Sequence, residues 1–120
     1  MNQIEATRIL SDEYSAKILI ATYLRPKNAI ELSQRLGIPM AACYRRIRTL
    51  ERAGLLQCVG RSLTQKGKRI SNYVSQLKDA QITLENGQLR VRFGLKSGTS
   101  WDFGGVWSPL DALVPNQQAG

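Results

Sequence analysis

Residues 28–39 mark both ends of a short helix and the start of another, and this limits the fold more than any other stretch of the chain. Asn28 and Glu31 have the spacing of a capping box, in which the side chain and backbone amide of each satisfy the other. Ala29, Leu32 and Leu36 follow on one face. Gly37 then stands where a helix ends in a left-handed residue. Ile38 returns the chain to the core, and Pro39 suits the first turn of a new helix. Two helices joined by so tight a turn cross at a steep angle, which is the geometry of a helix-turn-helix.

The second helix of this pair spans about 39–53. Cys43, Ile47 and Leu50 recur at intervals of four and three, so they share its inward face. Tyr44, Arg45, Arg46, Arg48 and Thr49 then point mostly outward, with Arg52 near the exit. Arginine offers paired donors to guanine edges and phosphates, and the small Ala41 and Ala42, after Met40, would let the helix approach a groove floor closely. Upstream, residues 11–24 read as a third helix, capped by Ser11 or Asp12, with Tyr14, Ile18, Leu19, Thr22 and Tyr23 as its buried stripe. Arg25-Pro26 ends it.

The charge distribution supports a polyanionic partner. The 120-residue chain carries 17 basic and 9 acidic residues, a net charge of +8. Residues 1–33 and 76–120 are each neutral, with four charges of either sign. Residues 34–75 hold nine basic residues against the single acid Glu51, so the whole excess lies in this block. A basic stripe confined to one segment is the footprint of a nucleic-acid-binding surface, whereas a face kept charged for solubility mixes both signs.

Other classes fall away. The chain has no histidine, so the commonest general base and the commonest metal ligand are both missing. Cys43 and Cys58 form neither a disulfide framework nor a C-x-x-C pair, and read as small buried hydrophobes. No glycine-rich phosphate loop joins a strand to a helix. Enzymatic activity, a cofactor and a metal centre are therefore not expected. The longest apolar run is far too short for a membrane span, and no signal-peptide core precedes the first acids, so a cytoplasmic protein is expected.

The stretch from Ile9 to Leu56 resembles the winged helix-turn-helix of ArsR-like prokaryotic regulators, the archaeal type especially. The Leu36-Gly37-Ile38 turn and the Leu50-Glu51-Arg52-Ala53-Gly54-Leu55-Leu56 exit carry most of that likeness. It implies an α+β fold, three helices plus a β-wing, and a homodimeric protein that binds double-stranded DNA to repress or activate transcription. Two departures stand out. Met40-Ala41-Ala42 replaces the usual polar Ser/Thr pair at the start of the recognition helix, and the metal-sensing Cys-x-Cys of some members is absent.

Residues 55–59 then read as a strand leaving the recognition helix. Arg61, Lys66, Lys68 and Arg69, the last three around Gly67, suit a wing tip on an adjacent groove or phosphate. Residues 70–77 fit helical spacing through Ile70, Tyr73, Val74 and Leu77, and fit strand alternation as well; the resemblance favours the strand. Residues 80–93 form a β-hairpin about Asn86-Gly87, whose type I′ turn pairs Glu85 with Gln88, Leu84 with Leu89 and Ile82 with Val91. That face must be covered by the domain or by a second subunit.

The expected organisation is a winged helix-turn-helix over 1–78, an added C-terminal β-hairpin over 79–94 as core extension or dimerisation element, and a flexible tail over 95–120. Trp101, Phe103 and Trp107 in that tail either dock on the domain or, with residues 108–113, mark a protein-partner motif. The expected DNA-contacting set is Met40, Ala41, Ala42, Tyr44, Arg45, Arg46, Arg48, Thr49, Arg61, Lys66, Lys68 and Arg69, with Arg45 and Arg48 as base-edge or phosphate contacts. A winged-helix assembly module of a multiprotein complex is the alternative. RNA binding is a third reading, disfavoured by the scarcity of exposed aromatics in the basic block.

Overall fold

The computed structural model describes residues 1–104. Four helices precede two three-stranded antiparallel sheets: α1 (Gln3–Ser11), α2 (Glu13–Ala21), β1 (Lys27–Asn28), α3 (Ala29–Leu36), α4 (Met40–Arg52), β2 (Leu56–Leu63), β3 (Arg69–Ser75), β4 (Leu77–Glu85), β5 (Gln88–Leu95) and β6 (Ser100–Phe103). The sheets run β1-β3-β2 and β4-β5-β6.

The helix-turn-helix signals act locally as expected. The Asn28 side chain accepts from the Glu31 amide at 2.8 Å, while the Glu31 carboxylate accepts from the Asn28 amide at 3.3 Å. Gly37 is left-handed at φ 66°, and the Ile38 amide donates to the Ser33 carbonyl. Pro39 stands at the N-cap position, one residue before the first turn, with no side-chain cap bond, and α4 begins at Met40. At the far end of α4, Gly54 (φ 78°) donates to the Glu51 carbonyl and Leu55 to that of Leu50, a Schellman exit that aims the chain into β2.

The helix expected over 11–24 is the shorter α2, Glu13–Ala21, and a separate helix, α1, precedes it. Asp12 ends α1, its backbone amide donating to Arg8 and Ile9, and its side chain caps α2 by accepting from Ser15. The helix α1 starts at Asn2, whose side chain accepts from the Glu5 amide. It buries Ala6 and Ile9. The helix α2 stops at Ala21, so Thr22 is buried as a cap while Tyr23 lies exposed rather than in the stripe.

Residues 69–75 are a strand, not a helix. Pairing of β3 with β2 runs from Leu56↔Ser75 to Leu63↔Arg69, with an irregularity at Cys58/Gly60, and puts Lys66, Gly67 and Lys68 in the connecting turn. The two-residue β1, which sequence periodicity does not reveal, flanks β3 through Lys27↔Tyr73 and Asn28↔Asn72.

The second sheet is larger than a hairpin. Strands β4 and β5 pair as Glu85↔Gln88, Leu84↔Leu89 and Ile82↔Val91, about a turn in which Asn86 (φ 51°) and Gly87 (φ 74°) are both left-handed. Beyond it, β6 lies within the stretch expected as a tail. It joins β5 through Phe93↔Trp101 and Val91↔Phe103. The alternation Ser100-Trp101-Asp102-Phe103 is a strand pattern, masked by the Gly/Ser composition of the preceding turn. Phe103 meets Phe93 edge-on, with centroids 5.8 Å apart. A Cβ on Gly54 would lie 3.0 Å from the Trp101 ring, so these aromatics dock on the domain. Trp107 and residues 108–113 lie outside the described residues.

One core serves both sheets. Ile18, Leu32, Ile38, Ile47, Leu50 and Leu55 are buried in the same cluster as Val91 and Phe93. The Gln3 amide donates to the Leu89 carbonyl, tying α1 to β5.

Candidate nucleic-acid interface

The site is built on α4. Its inner stripe of Cys43, Ile47 and Leu50 is fully buried and packs against α2, α3 and β2. Burial raises the Cys43 thiol above its usual pKa, which keeps it a neutral, inert side chain. On the opposite face Met40, Ala41, Tyr44, Arg45, Arg48, Thr49 and Arg52 are all exposed. These positions recur at helical spacing, so they form one continuous strip along the helix. The Thr49 hydroxyl donates to the Arg45 carbonyl, and Arg52 Nε to the Arg48 carbonyl, so both side chains lean along the helix.

Two expected contact residues sit elsewhere. Ala42 is 8% exposed and belongs to the core. Arg46 is half-buried in a forked pair with Asp12, at 2.9 Å (Nε–Oδ2) and 3.1 Å (Nη2–Oδ1), and its guanidinium lies 5.4 Å from the Tyr14 ring centroid. The buried stripe of α4 is therefore wider than the Cys43–Ile47–Leu50 line. Its flank at positions 42 and 46 turns inward, where a small side chain fits and a long one needs a counter-charge. Arg46 is paired with Asp12 and so helps to orient α4.

Asp12 thus binds three helices: it ends α1, caps α2 and holds α4. The Arg46 hydrogen bonds first, then those from Ser15, push its carboxyl well below the usual carboxylate range despite partial burial. A depressed folded-state pKa contributes stability above the unfolded value, about 3.9, and that stability is lost as pH falls below it. Asp12→Asn, which keeps a capping oxygen but no charge, should cost about 1–2 kcal/mol at pH 7. The gap to wild type should narrow as pH falls below about 3.9, because the unfolded wild-type chain then binds a proton that the folded, ion-paired Asp12 does not. Thermal melts across that range read it directly.

The remaining cations carry no such partner. Among the described residues, Arg45, Arg48, Arg52, Arg61, Lys66, Lys68 and Arg69 form no salt bridge. All seven are exposed. Arg61 lies on β2, Arg69 opens β3, and Lys66 and Lys68 stand in the turn between them.

The structure adds one cation that the sequence reading missed. Arg8 on α1 lines a groove of about 400 Å³ with Thr49, Arg52 and Ala53 of the α4 end. A second groove is lined by Arg8, Arg45 and Arg46 together with Asp12. The signal was present as Asn2 three residues before Glu5, followed by Ala6 and Ile9 at helical spacing.

A strip of exposed arginines on a helix, beside a basic hairpin turn, can bind phosphate oxygens and base edges together. Residues 10–59, less than half of the chain, match a family model described as a helix-turn-helix domain. No curated protein matches the chain. The matched segment runs from the last turn of α1 into β2 and contains the whole α3–turn–α4 unit. It supports a DNA-binding regulator.

Proposed function

We propose that this helix-turn-helix chain is a sequence-specific regulator of transcription that reads double-stranded DNA as a homodimer. The helix α4 lies in the major groove, and the β2–β3 hairpin acts as a wing on the adjacent groove or its phosphates. The observation that carries this is the set of seven exposed cations without a salt-bridge partner, disposed along α4 and around the β2–β3 turn. An assembly module would have no use for so many uncompensated charges around the recognition helix. On this reading Met40, Ala41, Tyr44, Arg45, Arg48 and Thr49 face base edges and nearby phosphates. Arg61, Lys66, Lys68 and Arg69 serve the backbone, with Arg8 and Arg52 at the exit of α4.

The experiment is selection of genomic duplex fragments, followed by a salt titration on a selected site. Binding should fall steeply with salt, each phosphate contact adding about 0.9 to the slope of log K against log[salt]. Absence of duplex binding at low ionic strength would end the DNA reading. Equal binding to every fragment would end the sequence-specific part of it.

A further inference from the structure

Ile82 and Leu84 share a sheet face with Val91 and Phe93, yet their environments differ sharply. Val91 and Phe93 are fully buried, whereas Ile82 is 47% and Leu84 77% exposed. The cause is position: β4 is the edge of the β4-β5-β6 sheet, and nothing among the described residues pairs with its outer side. The strand is nine residues long and lacks proline, and its charges (Lys78, Asp79 and Glu85) lie towards its ends. Edge strands are ordinarily guarded by a central charge, a proline, a bulge or brevity; β4 has an irregularity only at its start, between Leu77 and Asp79, and no such guard from Ala80 to Leu84.

The backbone of β4 is poised for a further strand. Glu85 and Gln88 close a two-residue turn, so they exchange both of their hydrogen bonds. Alternation along the ladder then turns the N–H and C=O groups of Ala80, Ile82 and Leu84 away from β5, towards the open edge.

We propose that β4 pairs antiparallel with β4 of a second copy of this chain, about a twofold axis at Thr83, to make a continuous six-stranded sheet. This deepens the dimeric reading above and rests on it. Because opposed residues must point to the same face, the axis has to pass through a residue rather than between two. An axis at Ile82 opposes Glu85 to Asp79, a like-charge pair. An axis at Gln81 sets Leu84 against Lys78. The axis at Thr83 instead opposes Ile82 to Leu84 twice, Thr83 to itself and Gln81 to Glu85 twice. This register covers both exposed apolar side chains, places no like charges together and forms four backbone hydrogen bonds.

The same strand meeting itself is an isologous contact, which closes at two subunits. The chain's own continuation starts from a less favourable place. The described residues end at 104, just after β6, on the edge opposite β4. A lone strand pairing of this length buries a small area, which places the dimer in the weak, concentration-dependent class.

Sedimentation of the full-length chain without DNA, over a wide concentration range, tests the proposal. Wild type should form a reversible dimer. Leu84→Lys should weaken association at least tenfold, with unchanged circular dichroism and melting, since the side chain it replaces is mostly exposed. In a Cys58→Ser background, Thr83→Cys should oxidise to a disulfide-linked dimer, because non-hydrogen-bonded opposite residues bring their Cβ atoms within bridging range. Gln81→Cys should not. A Leu84→Lys chain that dimerises as well as wild type overturns the β4 interface and leaves the dimeric reading standing. A wild-type monomer at every concentration overturns both. Cross-linking no greater at position 83 than at 81 also overturns the proposed register, and this readout holds even if Leu84→Lys fails to fold.

Discussion

Arg45→Ala should weaken binding to a selected duplex by about 1–3 kcal/mol, roughly 5- to 150-fold, while changing binding to random duplex much less. Lys66→Ala should weaken both to a similar degree and lower the salt slope by about 1. The contrast follows from where the two side chains stand. Arg45 is exposed in the first half of α4, one turn beyond the exposed Ala41 and beside Tyr44, where a recognition helix meets base edges. Lys66 sits in the β2–β3 turn, a flexible ammonium suited to a phosphate. Paired titrations of both variants, on selected and scrambled duplex, give the four affinities required. Equal losses for Arg45→Ala on the two duplexes would remove it from base readout and leave it a backbone contact. Arg46→Ala belongs to another class. It should lower thermal stability through its lost Asp12 pair, and its effect on DNA should follow from the looser seating of α4.

Phe93→Ala should be among the most damaging single truncations, at about 3–5 kcal/mol. The ring is fully buried and meets Phe103 edge-on. It belongs to the same core cluster as Leu32, Ile47 and Leu55. A loss of that size approaches the whole stability of an ordinary small domain. Chemical denaturation should therefore show α4 and the second sheet failing in one transition. Two separate transitions, with the helices surviving the substitution, would mean that the β4-β5-β6 sheet is an appendage. The exposed Leu84, on the neighbouring strand, should tolerate alanine with little change.

The parts of this fold legible in the sequence are those determined by neighbours along the chain. Asn28, Glu31 and Gly37 set the ends of α3 through contacts within a few residues. Asn86-Gly87 set the register of β4 on β5 because a two-residue turn admits few alternatives. The exposed strip of α4 followed from helical spacing alone. What could not be read depends on partners distant in sequence. Arg46 reads as a free cation in the sequence because its counter-charge lies 34 residues away. Ala42 was placed outside because the width of a buried stripe depends on which helices flank it. The strand β6 alternates as a strand should, but its pairing depends on β5 already being in place, and its turn has the composition of a tail. For α1 the local signal is short: Asn2 as cap, Glu5 in the first turn, and Ala6 and Ile9 as its buried residues.

The contact between Trp101 and Gly54 has a practical consequence. The indole touches the residue at which α4 gives way to β2, and it is one of only two tryptophans in the chain. With Trp107 replaced by phenylalanine, the emission of Trp101 becomes an intrinsic optical probe at the C-terminal end of α4. Any event that shifts that helix then registers as a change in fluorescence, with no label attached.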